Sequence, residues 1–131
     1  MLFVTRQARP EVTLAVCRGA CRLMRQAGHS VLLEVPLPDG RRADIFAVGR
    51  SGEITIVEVK SSIEDWRVDI KWPDYLDWCD QLYVAVPIDF PQALIPEEIG
   101  LIRTGLQKVA RKLPGLSRFA PSRAADAPPP A

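Results

Sequence analysis

The sequence has a single histidine, His29, and three cysteines with no C-x-x-C pair among them. A zinc site therefore lacks the further ligands it would need, and an odd cysteine count with no paired spacing argues against a disulfide framework. Cys17, Cys21 and Cys79 read as free thiols in a reducing compartment, with the first two one helical turn apart. No apolar run approaches the length of a membrane span, and Met1 to Val4 is too short for the apolar core of a signal peptide. The expected address is the cytoplasm, with no membrane contact. Net charge is only +1, so no global field draws the chain onto nucleic acid. Its distribution is uneven: Arg18, Arg22 and Arg25 lie together near the start, Lys108, Arg111, Lys112, Arg118 and Arg123 near the end, and most acids between. A basic periphery around an acidic centre suits a protein that places phosphates over a metal, and equally suits a solvated surface.

At 131 residues the chain is one domain, large enough for a single core. A helix is expected from about Pro10 to Gly28. Leu14, Cys17, Cys21 and Met24 repeat at its spacing, and Val16, Ala20, Leu23 and Ala27 widen the apolar face. Glu11 is the acid of its first turn, and Arg18, Arg22 and Arg25 fall on the opposite face, as solvated cations or phosphate contacts. Ser30 to Pro36 reads as a strand, Pro38 to Gly40 as a tight turn, Arg42 to Val48 and Glu53 to Lys60 as two more strands. Ser61 and Ser62 offer an N-cap to a helix running towards Asp80, interrupted at Pro73. Gln81 to Val86 is an almost wholly apolar strand of the kind buried between two layers. A loop from Pro87 to Glu98 leads to a last edge strand, Gly100 to Arg103. Thr104 to Leu113 can form an amphipathic basic helix. Residues 114–131, rich in proline, alanine and serine, form a disordered tail, leaving 1–113 as the domain. The order makes an α/β sandwich with a mixed sheet.

Chemistry concentrates on the second and third strands. Side chains alternate along a strand, so Glu58 and Lys60 share a face, and a hairpin through Gly49 to Gly52 brings Asp44 beside them. Two carboxylates at such a place repel unless a cation is shared between them. A hard divalent ion, Mg2+ or Mn2+, takes a few carboxylate oxygens and completes its shell with water. Asp44 and Glu58 are the expected ligands, with the Val59 backbone carbonyl as a third and Glu34 as an additional acid. Lys60 would orient the attacking water and offset charge on a phosphate. The alternative is a set of surface carboxylates paired with Arg41, Arg42 or Lys60, and for Glu34 an arginine salt bridge.

Asp44 with Glu58 and Lys60 resembles the PD-(D/E)xK, restriction-endonuclease-like, nuclease superfamily, with Ala43 where its proline usually stands. The segments LEVPLPDGRRAD (33–44), EVKSSIEDW (58–66), KWPDYLDWCD (71–80) and YVAVP (83–87) are similar to the MmcB-like DNA repair family of bacteria. The likeness runs from the first helix to about Arg103. It implies a restriction-endonuclease-like αβββαβ core, its mixed central sheet flanked by helices. It also implies a metal-dependent endonuclease acting on DNA, damaged or branched, in repair. Lys71 and Tyr75, four apart on the expected helix, are similar to the superfamily's Q-x-x-x-Y arrangement and would touch the nucleic-acid backbone, as would Arg18, Arg22 and Arg25. Trp66, Trp72 and Trp78 read as core or interface, and Asp74, Asp77 and Asp80 as a solvated acidic face. A non-catalytic DNA-binding or adaptor module, an RNA nuclease, or a structural subunit with a partner-binding tail remain as alternatives. One compact site cuts one strand at a time, so double-strand cutting would require a homodimer or a repair-protein partner.

Overall fold

A computed structural model describes residues 2–69 and 71–104, with side chains from residue 11 onward. Helix α1 spans Leu2–Gln26, β1 Ser30–Pro36, β2 Arg42–Val48, β3 Ile54–Val59, α2 Ile63–Val68, β4 Gln81–Pro87 and β5 Gly100–Thr104. Two short 3-10 segments, Trp72–Trp78 and Gln92–Leu94, lie in the connections. The five strands form one sheet in the order β1-β2-β3-β4-β5. The first three pair antiparallel and the last two join in parallel, so the sheet is mixed. Parallel neighbours cannot be joined by a hairpin. The chain between β3 and β4 must therefore cross over the sheet, and it carries α2 and the longer 3-10 segment across one face.

Each face of the sheet has its own core. On one, Val16, Ala20, Cys21 and Met24 of α1 pack against Ile45, Ala47, Val57, Tyr83, Ala85 and Ile102. On the other, Ile56, Leu82, Val84, Val86 and Leu101 meet Tyr75, Phe90, Ile95 and Ile99, with the three tryptophans packed around them. β4 is buried on both faces, as its unbroken apolar run requires. Trp66 and Trp72 stack, with ring centroids 6.5 Å apart, and all three tryptophans serve the core.

Several expectations need correction. α1 starts at Leu2, so Pro10 and Glu11 lie inside the helix rather than in its opening turn. Proline withholds one hydrogen bond of the ladder, and here the helix runs on through it. Leu14 and Ala27 are exposed, because the core takes a narrower stripe of the helix. Gly28 does end α1, at φ +92°, a conformation that a side chain would strain. α2 is correctly capped by Ser62, whose hydroxyl accepts the Asp65 N–H at 3.1 Å. It stops at Val68, however, and never reaches Asp80. The basic helix expected from Thr104 lies outside the described residues, except that Thr104 itself ends β5. The tail, residues 114–131, lies outside them as well.

β5 lies so close to β4 that a Cβ on Gly100 would overlap the ring of Tyr83, itself fully buried. Gly100→Ala should therefore destabilise the protein by about 1–3 kcal/mol, the usual cost of overpacking a filled core. A thermal melt beside the wild type reads it, and an unchanged melting temperature would show that the strand slides freely.

Candidate active site

The β2–β3 register places Ile45 opposite Val57, and one step further along it Asp44 stands beside Glu58. The two acids are laced across the strands. The Asp44 N–H donates to Glu58 Oε2 at 3.1 Å, and the Val59 N–H donates to Asp44 Oδ2 at 2.8 Å. Glu58 is only 4% exposed. None of the cations named as alternative partners is used on the pair. Arg41 goes to Asp74 at 2.7 Å, Arg42 to Glu34 at 3.7 Å, and Lys60 to Asp69 at 2.7 Å. Among the described residues, then, neither Asp44 nor Glu58 has a cation within ion-pair distance. Burial, and after it the charge of Asp44, pushes the Glu58 carboxyl up to about 8. Burial also raises Asp44, against the pull of the Val59 N–H and of Lys60. Two like charges so close cannot both ionise cheaply, so the pair shares one proton near neutral pH.

Lys60 is placed by the end of β3, where its N–H donates to the Ala85 carbonyl at 2.9 Å. Its ammonium is close enough to lower both Asp44 and Glu58, yet its ion-pair partner is Asp69. Asp69 is the C-cap of α2, and its second carboxylate oxygen accepts the Lys71 N–H at 3.2 Å. Tyr75 is buried against Glu58, hydrogen-bonds to it, and donates to the Arg42 carbonyl at 3.3 Å. Burial and the Glu58 charge raise the phenol, which stays a donor.

Asp69 is the residue that sequence reasoning missed. It lies on the crossover, nine positions from Lys60, and no local pattern marks the point where α2 stops. Asp69→Asn should free the ammonium to swing towards Asp44 and Glu58, lowering the proton affinity of that pair. Carbon-detected NMR titration of the Glu58 carboxyl should show a fall of about one pH unit or less, the scale of one added neighbouring charge. No movement would mean that Lys60 is held by something else.

The other expected residues divide. Lys71 and Tyr75 do not share a helix face: Lys71 is the cap before a 3-10 segment and Tyr75 lies inside it, where three residues make a turn. Lys71 is exposed and Tyr75 turns into the site. Asp74 takes Arg41 instead of Lys71, and Asp80 accepts the Ile54 N–H at 2.8 Å, so those acids are not merely a solvated face. Glu34 lies across β1 from Asp44 and adds to its raised proton affinity, but its carboxylate is exposed and paired with Arg42. Its backbone has φ +53°, the left-handed region that is strained for a side chain of this kind. Arg18, Arg22 and Arg25 are exposed. They border a groove shared with Cys17 and Cys21, rather than standing opposite the apolar face. All three cysteines are free.

Among the described residues no group of three or more histidines, cysteines or acids is gathered for a metal. A two-carboxylate site nonetheless fits magnesium, which keeps several waters and needs only one or two protein carboxylates. Burial, more than their mutual charge, raises the proton affinity of Asp44 and Glu58, a cost that a bound cation would offset, and the donor set is all oxygen.

The family described as DNA repair protein MmcB-like matches the chain over residues 3–122. A solved structure of a Silicibacter pomeroyi protein of unknown function, SPO1766, is 33% identical with a TM-score of 0.69, and the match covers 86% of each chain. No curated protein matches. Among the described residues, no helix is long and apolar enough to cross a membrane.

Proposed function

The chain belongs to the MmcB-like family, and from that premise we propose a DNA repair protein that hydrolyses phosphodiester bonds with Mg2+ or Mn2+. The fold would be a restriction-endonuclease-like version of the mixed sheet, and the site a PD-(D/E)xK site. One observation carries the reading: Glu58, buried, and Asp44, half-buried beside it, have no cation within ion-pair distance among the described residues, with a lysine at their edge. A structural carboxylate pair would have drawn in one of the neighbouring arginines.

Asp44 and Glu58, with the Val59 carbonyl, would hold the metal. When bound, it would supply a nucleophilic water at neutral pH and neutralise charge on the phosphate. The Asp44 N–H fixes the Glu58 carboxylate, and the Val59 N–H fixes that of Asp44. Lys60, steadied by Asp69, would offer its ammonium to the charge that develops on the phosphate oxygens. Glu34, across the β1–β2 pair from Asp44, would add a further acid to this set.

The ion pair between Lys60 and Asp69 also favours a second reading, a DNA-binding or adaptor module on the same fold with its lysine committed to structure. Incubating labelled single-stranded, duplex and branched DNA, and RNA of equal length, with each metal separates the readings. Metal-dependent cutting of DNA supports hydrolysis, and the preferred form identifies the repair intermediate. Retention of DNA with no cutting under either metal leaves the adaptor, and preferential cutting of RNA moves the substrate class.

A further inference from the structure

Outside the carboxylate pair, a groove runs along the exposed side of α1 against β1, with a volume of about 620 Å3. Its floor is apolar, made by Leu14, Cys17, Cys21 and Leu33. Arg18, Arg22 and Arg25 line it, and among the described residues no carboxylate lies within ion-pair distance of any of the three. Three unneutralised guanidinium groups beside one groove call for an anionic occupant. From Arg18 to Arg25 they cover about 10 Å of helix, since each residue rises about 1.5 Å, and this is room for more than one charge.

The groove borders the strand pair that carries Glu34 and Asp44. Leu33, in its floor, sits opposite Ile45 in the β1–β2 register, one residue along the chain from Glu34, as Ile45 is from Asp44. Cys17, in its floor, has its thiol pushed up first by the hydrogen bond with Cys21 and by burial, and further by the charges of Asp44 and Glu34. The inner end of the groove therefore lies within the field of the acids.

We propose that this groove holds a single strand of DNA, with Arg18, Arg22 and Arg25 on its phosphates and the apolar floor beneath its sugars and bases. The inference rests on the reading of the site as one that handles DNA phosphodiesters, and it names the form of the substrate. A duplex keeps its bases stacked inward and offers an apolar floor nothing but phosphate. An unpaired strand presents both chemistries together, the combination that single-strand sites recognise.

The test is fluorescence anisotropy of a labelled oligonucleotide with chelator present, so that nothing is cut. The full chain is compared with the triple variant Arg18→Gln, Arg22→Gln, Arg25→Gln. All three residues are exposed, and a thermal melt checks that the variant folds. The wild type should bind the single strand at least about tenfold tighter than its duplex. The triple variant should lose about tenfold or more at low salt, and its slope of log affinity against log salt should fall by about 2, near 0.7 for each phosphate contact on a single strand. Unchanged affinity and slope in the variant overturn the proposal. So do equal binding of the duplex, tighter binding of RNA, and displacement of the strand by an acidic peptide at comparable concentration. Because binding is read without cleavage, a protein that binds through the groove and never cuts loses the hydrolytic reading alone. One that cuts with metal but binds regardless of the arginines loses the groove alone.

Discussion

Asp44→Asn and Lys60→Gln should each lower metal-dependent cleavage of DNA by at least about 10²–10³-fold, the scale of removing one charge-stabilising group from a preorganised site. The two losses differ in kind. Asp44→Asn keeps an oxygen for the Val59 N–H, so the strand ends stay laced while half of the metal's charge complement goes. Its metal-free fold should be no less stable than the wild type, because a like-charge neighbour of Glu58 has been removed. Lys60→Gln leaves Asp69, almost buried, without its cation, and breaking a pair of that kind costs about 3–5 kcal/mol. The single variant can thus fail by unfolding. The double variant Lys60→Gln, Asp69→Asn removes both charges and should fold while remaining inactive. Cleavage kinetics and thermal melts on the same samples test this. Activity within a few-fold of wild type in the Asp44 variant, or in the folded double variant, would remove the hydrolytic assignment.

Metal-free protein should lose stability as pH rises from about 5 to about 8, and added Mg2+ or Mn2+ should restore it. The sign follows from Glu58. Its carboxyl, ordinarily near 4.5, titrates at about 8 in the folded protein. Between those values the folded state holds a proton that the unfolded chain has already released. The contribution of this group is therefore complete below pH 4.5 and is lost as pH climbs through 8. A divalent ion replaces the shared proton with charge of the right sign, so its stabilising effect should be largest on the alkaline side, by a few kcal/mol. Glu58→Gln should flatten both responses, giving a melt that hardly changes with pH or metal. A wild-type melt that rises steadily from about pH 5 to about 8 without metal, or a Glu58→Gln protein that still responds to the ion, would contradict this account.

The parts of this molecule that could be read from sequence are those where local pattern and tertiary structure agree. β1, β2 and β3 alternate between their two faces and are separated by turn residues, so the hairpin register that sets Asp44 beside Glu58 follows from residue counting. β4 was equally plain, since an apolar run closed by Pro87 has few other uses. The crossover was not. Pro73 points to a break in a helix, but the helix had already ended at Asp69, and the 3-10 winding that follows turned Tyr75 inward and Lys71 out. The ion pair of Lys60 with Asp69 depends on how that crossover folds back over β3, a three-dimensional fact with no spacing rule behind it. Nor does any propensity place the left-handed conformation at a glutamate inside a strand.

That conformation at Glu34 bears on how the molecule behaves in company. Among the described residues β1 is an edge strand, paired with β2 alone, and it carries Leu32 and Leu33 at 56% and 54% exposure. A flat edge of this composition is a template on which another chain can add a strand, and the route by which sheet proteins aggregate. The bend at Glu34 cuts the straight part of the edge to the few residues before it, and puts a charge at the break. A left-handed residue at that point makes β1 a poorer template for a second strand than its exposed leucines alone would suggest.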